Sequence, residues 1–192
     1  MKMNTFTAVA LAAVMLLPVQ SLAEKYIIDT KGSHAFIHFR IQHLGYSWLT
    51  GRFNTFSGSF EYDEKNPDKA SVVVEIDTAS IDSNHAERDK HLRGDEFLDV
   101  EKYPKAKFES TSFSEKGDGT AVLKGNLTLH GVTQPVTIDV EHVGHGEDPW
   151  GGYRRGFEGN TRIALADFGI DYNLGPKSKE LELILSVEGI RQ

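Results

Sequence analysis

The sequence predicts an all-β fold, an antiparallel barrel of about eight strands with a short helical insertion near residues 84–103. Three observations carry this. Apolar residues recur at every second position along most of the chain. Glycine- and proline-bearing turn signals separate the alternating runs. One segment, from Asn84 to Arg93, changes to the spacing of a helix. Alternation sends one set of side chains inward and the other outward. Strands with one apolar face, joined by short polar turns, cover a single interior. A closed barrel leaves no free edges. A two-sheet sandwich competes with it, and period alone does not separate the two.

The chain opens with Lys2, an apolar run from Ala8 to Val19 and the small-residue site Ser21-Leu22-Ala23. This is the pattern of a secretory signal peptide, residues 1–23, cleaved after Ala23. The run is too short to span a bilayer comfortably, which takes about 20 apolar residues. Residues 24–192 are then expected to form one domain, without repeat or linker, in an exported compartment. No transmembrane segment is expected in this mature part.

The alternating runs follow in order. Ala35, Ile37, Phe39 and Ile41 alternate with polar neighbours, as do Phe56, Gly58, Phe60 and Tyr62. Val72, Val74 and Ile76 make the next inward set, then Leu123, Leu127 and Leu129, then Val136, Ile138 and Val140. Phe157, Thr161, Ile163 and Leu165 precede the last set, Leu181, Leu183, Leu185 and Val187. Turns fall at Asn66-Pro67-Asp68, Lys116 to Gly119, His130-Gly131, Asp148 to Gly152 and Gly175-Pro176.

In the helical segment Asn84 is a cap candidate, Glu87 completes a capping box and Gly94 ends the helix. His85, Arg88, Asp89 and Leu92 share one face. Glu87 with His91, and Asp89 with Arg93, are i,i+4 pairs in the favourable order. Asp95 to Tyr103 follows as a short helical or irregular stretch, stopped by Pro104. Such an excursion suits a cover over one end of the barrel.

Composition narrows the chemistry. Twenty-eight acidic against 21 basic residues, a net charge of −7, disfavour nucleic acid as a partner. The absence of cysteine excludes disulfides, thiol catalysis and Cys-ligated zinc. His34 and His38 lie about 13 Å apart on a strand, too far to share an ion. His85 and His91 point in different directions on a helix, and His142 and His145 lack a third ligand nearby in sequence. No metal site, nucleophile elbow or phosphate cradle is therefore expected. The interior mixes phenylalanines with Ala35, Gly58 and Gly125, which suits either a channel or the taper of a solid core.

The chain resembles the YceI-like family of secreted lipid-binding proteins. The resemblance runs from Tyr26-Ile-Ile-Asp29 to Ser186-Val-Glu-Gly189. It includes Ser33-His-Ala-Phe-Ile-His-Phe39, His43-Leu-Gly-Tyr-Ser47, Arg88-Asp-Lys-His-Leu-Arg93, Phe97-Leu-Asp-Val100 and Lys102-Tyr-Pro104. Gly125-Asn-Leu-Thr-Leu-His-Gly-Val-Thr-Gln-Pro-Val136 is the most distinctive block. His43 to Trp48, Asn84 to Arg93 and Asp148 to Gly152 resemble its periplasmic branch in Gram-negative bacteria.

The resemblance implies a lipocalin-like barrel holding a polyisoprenoid chain, such as a quinone tail or a prenyl diphosphate. It implies no catalytic residue and no cofactor beyond a bound isoprenoid lipid or quinone. Ile37, Phe39, Phe60, Val74, Phe108, Leu127, Leu129, Ile138, Phe157 and Leu183 are the expected tube wall. Tyr46, Trp48 and Trp150 are expected at its rim, and His85 and Arg88 at a head group. Leu165 stands where many members carry an arginine, two positions before Asp-Phe-Gly, which puts a head-group contact from that position in doubt. The expected partner is an isoprenoid lipid, and a homodimer is compatible with the chain. Two other readings stand beside this one: an envelope enzyme acting on a lipid or small molecule, and a stress-response protein with a solid core that binds a protein partner.

Overall fold

The computed structural model describes residues 23–192, so the predicted signal peptide lies outside the described residues apart from Ala23. Eleven strands and one α-helix follow in chain order. The strands are β1 (Glu24–Ile28), β2 (Phe36–His43), β3 (Ser47–Phe53), β4 (Phe56–Tyr62), β5 (Ser71–Asp77) and β6 (Ile81–Asp82). After helix α1 (Ala86–Leu92) come β7 (Lys105–Glu115), β8 (Thr120–Leu129), β9 (Val132–Glu147), β10 (Tyr153–Ala164) and β11 (Glu180–Arg191).

The ring β1-β4-β5-β7-β8-β9-β10-β11 closes back on β1, which makes a closed eight-stranded antiparallel barrel. Register explains the three extra strands. β11 pairs through Gly189–Arg191 with β1 and through Leu181–Ser186 with β2. β1 and β2 are thus two lengths of one wall position, interrupted by residues 29–35. Likewise β4 pairs with β1 while β3 pairs with β2, and the interruption is Asn54-Thr55. β5 and β6 are parted by the 3-10 turn Thr78–Ser80. These three kinks divide the barrel into a floor half, holding the chain ends of β1 and β11, and a mouth half, walled partly by β2 and β3.

β6 stops after two residues, and α1 with residues 93–104 fills the place between it and β7. The helix starts one residue later than the sequence suggests. Asn84 takes a left-handed φ of 62°, and His85 is the cap, its ring accepting from the Arg88 N–H at 3.2 Å. Neither expected i,i+4 pair forms. Asp89 is buried and accepts from the Ser83 backbone N–H at 2.8 Å and from the Ser83 hydroxyl. Arg93 donates to the carbonyls of Ala79 and Ile81, both at 2.7 Å, and His91 meets Glu96 at 2.7 Å. A seven-residue helix gains little from surface pairs, so these charges tie it to the chain before and after it.

Two bulges, at Ser110/Ser112 on β7 and opposite Gly156/Phe157 on β9, bend the wall at the floor half. The second turns Val143 outward to 65% exposure. Strand-like period is visible for most of the wall but does not announce β1, β3 or β7. β3 hides because its inward residues are Leu49, Gly51 and Phe53, and the glycine breaks the apolar pattern.

A blind apolar cavity as the candidate functional site

The mouth half is hollow. A cavity of about 470 Å³ occupies it, lined almost wholly by the inward residues of the alternating strands. Ile37, Phe39, Val74, Phe108, Leu127, Leu129, Ile138 and Leu183 of the sequence-predicted wall all face it. Phe60 and Phe157 do not. They border a second void of about 90 Å³ deeper in the barrel.

Glycines keep the lumen open. Phe39 and Gly51 are cross-strand partners, and the Phe39 ring lies where a side chain at 51 would stand. A Cβ there would meet Phe39 Cζ at 2.2 Å. Gly125 gives the same room to Phe108, with a contact of 2.3 Å. Both rings therefore occupy wall space that a larger neighbour would have filled. The small residues in the interior thus serve the wall as well as the channel.

Apart from the small second void, the floor half is filled. Tyr26, at 0% exposure, stacks on Phe60 with ring centroids 4.8 Å apart. Phe60 meets Phe157 edge-on at 5.6 Å, and Tyr62 contacts Phe113 and Phe157 at 6.3 and 5.7 Å. Arg155, only 2% exposed, lies over the Tyr62 ring at 4.3 Å and reaches Glu64. Burial works against its charge, yet contacts with Tyr26 and Glu64 outweigh this and raise its pKa. Burial and the nearby Arg155 charge hold His142 below the usual histidine range. Below the cavity and the small void beside it, these side chains close the barrel.

Polar groups collect at the mouth. Gln42, His43, Arg88, His91 and Ser178 border the cavity there. Several already have partners within the chain. Arg88 donates through Nε and Nη2 to the hydroxyl and carbonyl of Ser83, at 2.7 and 2.5 Å. His91 faces Glu96, and the Ser178 hydroxyl donates to the Gln42 carbonyl. Leu92, Phe97 and Leu98 line the cavity from above, so α1 and the loop after it form its cover.

The remaining predicted mouth residues separate. Tyr46 (87% exposed) and Trp48 stand at this end, on and beside the β2–β3 turn, and Trp48 carries Arg40 over its ring at 4.5 Å. His85 caps α1 and does not line the cavity. Trp150 corrects the expectation of a shared rim, because the β9–β10 turn puts it at the floor end, 79% exposed. Sequence reasoning missed the contribution of Leu44, Ile170, Leu174 and Ser178. They lie in turns or irregular segments, where no period marks an inward side.

Outside the barrel, Asp29, His34 and Glu188 bring ligand-type atoms together. Arg154 occupies this cluster, donating to Asp29 at 2.8 Å, to Glu188, and to Asp148 at 2.7 Å. Arg154, helped by His34 and the Gly32 N–H, lowers the Asp29 pKa to about 2. The cluster already holds a cation, and its observed role is to fasten β1 and the Asp148–Gly152 turn to β10.

Known proteins place this geometry. The YceI-like domain model matches residues 26–189. A UPF0312 protein of Pseudomonas aeruginosa (strain LESB58) is 59% identical over 98% of each chain. One of Serratia proteamaculans (strain 568) is 58% identical over 98% of this chain and 97% of its own. Among solved structures, the Campylobacter jejuni YCEI protein superposes with a TM-score of 0.71 at 26% identity, covering 79% of this chain and 90% of that one. A polyisoprenoid binding domain from Saccharophagus degradans, implicated in plant cell wall breakdown, shares the fold at a TM-score of 0.64 and 16% identity, over 90% of this chain and all of that one.

Proposed function

The chain belongs to the YceI-like family, and from that premise we propose that it is a periplasmic carrier holding a polyisoprenoid chain, a quinone tail or a prenyl diphosphate, inside the barrel. The observation that carries the reading is the cavity itself: about 470 Å³, walled by aliphatic and phenyl groups, with its polar neighbours gathered at one end apart from Thr161, whose hydroxyl donates to the Thr137 carbonyl. A methyl-branched chain gains about 25 cal/mol per Å² of apolar surface removed from water, so it needs few polar contacts. A head group would stay at the mouth, near Gln42, His43 and Ser178. The polyisoprenoid-binding description of a structural neighbour agrees with this chemistry.

A hollow interior disfavours the solid-core reading. An enzyme is disfavoured by the mouth, where Arg88 and His91 are engaged with Ser83 and Glu96 rather than with each other. The proposed periplasmic setting also draws on the predicted signal peptide. Protein purified gently from its native envelope and examined by native mass spectrometry should carry a lipid with isoprenoid mass spacing. A protein that arrives empty and takes up no added polyprenyl compound would rule the carrier out.

A further inference from the structure

The two voids are neighbours. Val72, Leu123, Ile138, Leu185 and Val187 border both, so the smaller void adjoins the larger on its floor side. β10 marks the boundary. Thr161 faces the main cavity, Phe157 faces the lower void, and between them stands Gly159, buried and inward. Gly159 pairs with Leu185 on one side and Val140 on the other. A Cβ there would come within 3.1 Å of Ile138 Cγ2 and 3.4 Å of Leu185 Cδ1. Its missing side chain therefore stands at the boundary between the voids. Below, Phe60, Tyr62, Phe113 and Phe157 end the space, and Arg155 backs Tyr62.

Resting on the carrier reading, we propose that the lower void receives the terminal isoprene unit of the chain, and that Gly159 and Phe157 set how many units the barrel buries. The direction of entry follows from chemistry. The floor side of the tube offers apolar surface, with the Thr161 hydroxyl turned to the Thr137 carbonyl, whereas the charged and other polar groups lie at the mouth, so the chain enters tail first. Size agrees with a terminal subsite. An apolar cavity of about 150 Å³ takes one benzene ring. On that scale, about 25 Å³ per carbon, 90 Å³ takes roughly three to four carbons, the branched end of one isoprene unit, and 470 Å³ takes roughly four units. Longer chains are not excluded; their extra units remain at the mouth or outside it. Affinity should rise with each added unit until the floor is reached and then level off.

The test is titration with a homologous series of all-trans prenyl diphosphates, each one isoprene unit longer than the last. Wild type should show the rise and the plateau. Gly159→Val should bring the plateau about one unit earlier and weaken the longest chains about tenfold or more, leaving the shortest unchanged. Phe157→Ala should move the plateau at least one unit later. Absence of any length dependence in wild type would overturn the carrier reading itself. A wild-type plateau that folded variants leave in place would overturn the ruler alone. Should Phe157→Ala fail to fold, Gly159→Val decides, and Gly159→Ala replaces it if valine is not tolerated. Position 159 has extended backbone within β10, so either change keeps the strand.

Discussion

The floor and mouth halves of this barrel share eight wall positions and one inward–outward alternation, yet one is filled by stacked rings except for a void of about 90 Å³ and the other is hollow. The difference lies in what points inward. At the floor, Tyr26, Phe60, Tyr62, Phe113, Phe157 and Arg155 stack against one another across the lumen. At the mouth, aliphatic residues and two rings set over glycines stay at the wall. Interiors normally pack densely, and voids lose contacts outright. A protein that keeps a large apolar void therefore forgoes stability there, and the ring-packed floor is where it can be recovered.

Truncation should expose this contrast most strongly. Phe60→Ala removes a ring stacked between Tyr26 and Phe157, and urea denaturation should report a loss of about 3–5 kcal/mol. Val74→Ala, on the cavity wall, should cost only about 1 kcal/mol, because its side chain already faces space on one side. Equal losses after correction for size would mean that the cavity collapses in solution.

The next effect concerns the cover. Asp89→Ala leaves the Ser83 N–H and hydroxyl without their buried acceptor, at a cost of roughly 1–3 kcal/mol. Hydrogen exchange should quicken in α1 and the loop after it while the floor strands stay protected. Release of a bound prenyl chain should quicken as well. Arg88→Ala belongs to the same anchor. It should weaken a prenyl diphosphate and a neutral quinone alike, since two of the Arg88 nitrogens serve Ser83. A loss confined to the diphosphate would assign Arg88 to the head group instead.

The sequence shows the wall more readily than the site, for a physical reason. Period two marks Ile37, Phe39, Val74 and Leu127 as inward, but inward is one property for a packed core and a tube. Hollowness depends on which inward residues sit level with which across the barrel, and register supplies that. Phe60 and Phe157 thus read like Phe39 and Phe108 in one dimension, and only strand pairing separates floor from wall. The charges of α1 read as i,i+4 pairs because spacing sees only neighbours on the helix. Their partners at Ser83, Ala79 and Ile81 come from the barrel wall and the turn before the helix. Trp150 and Trp48 look alike as exposed aromatics, and only the topology sends them to opposite ends.

Acid should distinguish the outer fastening from both halves of the interior. The Asp29 pKa is about 2, below the ordinary 3.8, so its contribution is full above the ordinary value and is lost as pH falls through about 2. Asp29→Asn should cost about 1–2 kcal/mol near neutrality. The wild-type and variant stability curves should converge as pH falls toward 2, when the wild-type carboxylate is neutralised as well. A gap that persists in full at the acid end would mean that the side chain acts by shape rather than charge.

The smallest effect on stability should come from Gly51→Ala, and it bears most directly on why one half is hollow. The backbone at 51 is ordinary β3, so alanine strains nothing locally. Its methyl instead claims the place of the Phe39 ring, which lies 2.2 Å from that point and must swing toward the lumen. Overpacking a filled core costs about 1–3 kcal/mol, but here the loss should stay below about 1 kcal/mol, because the ring exchanges wall contacts for cavity space. Capacity should fall: prenyl chains that fill the cavity should bind more weakly, while the floor, reported by the Phe60→Ala penalty in the same background, stays as it was. If binding is unchanged, Phe39 has another resting place along the wall and the glycine is there for the fit of β2 against β3. If binding falls with stability intact, the void is specified by a residue that has no side chain.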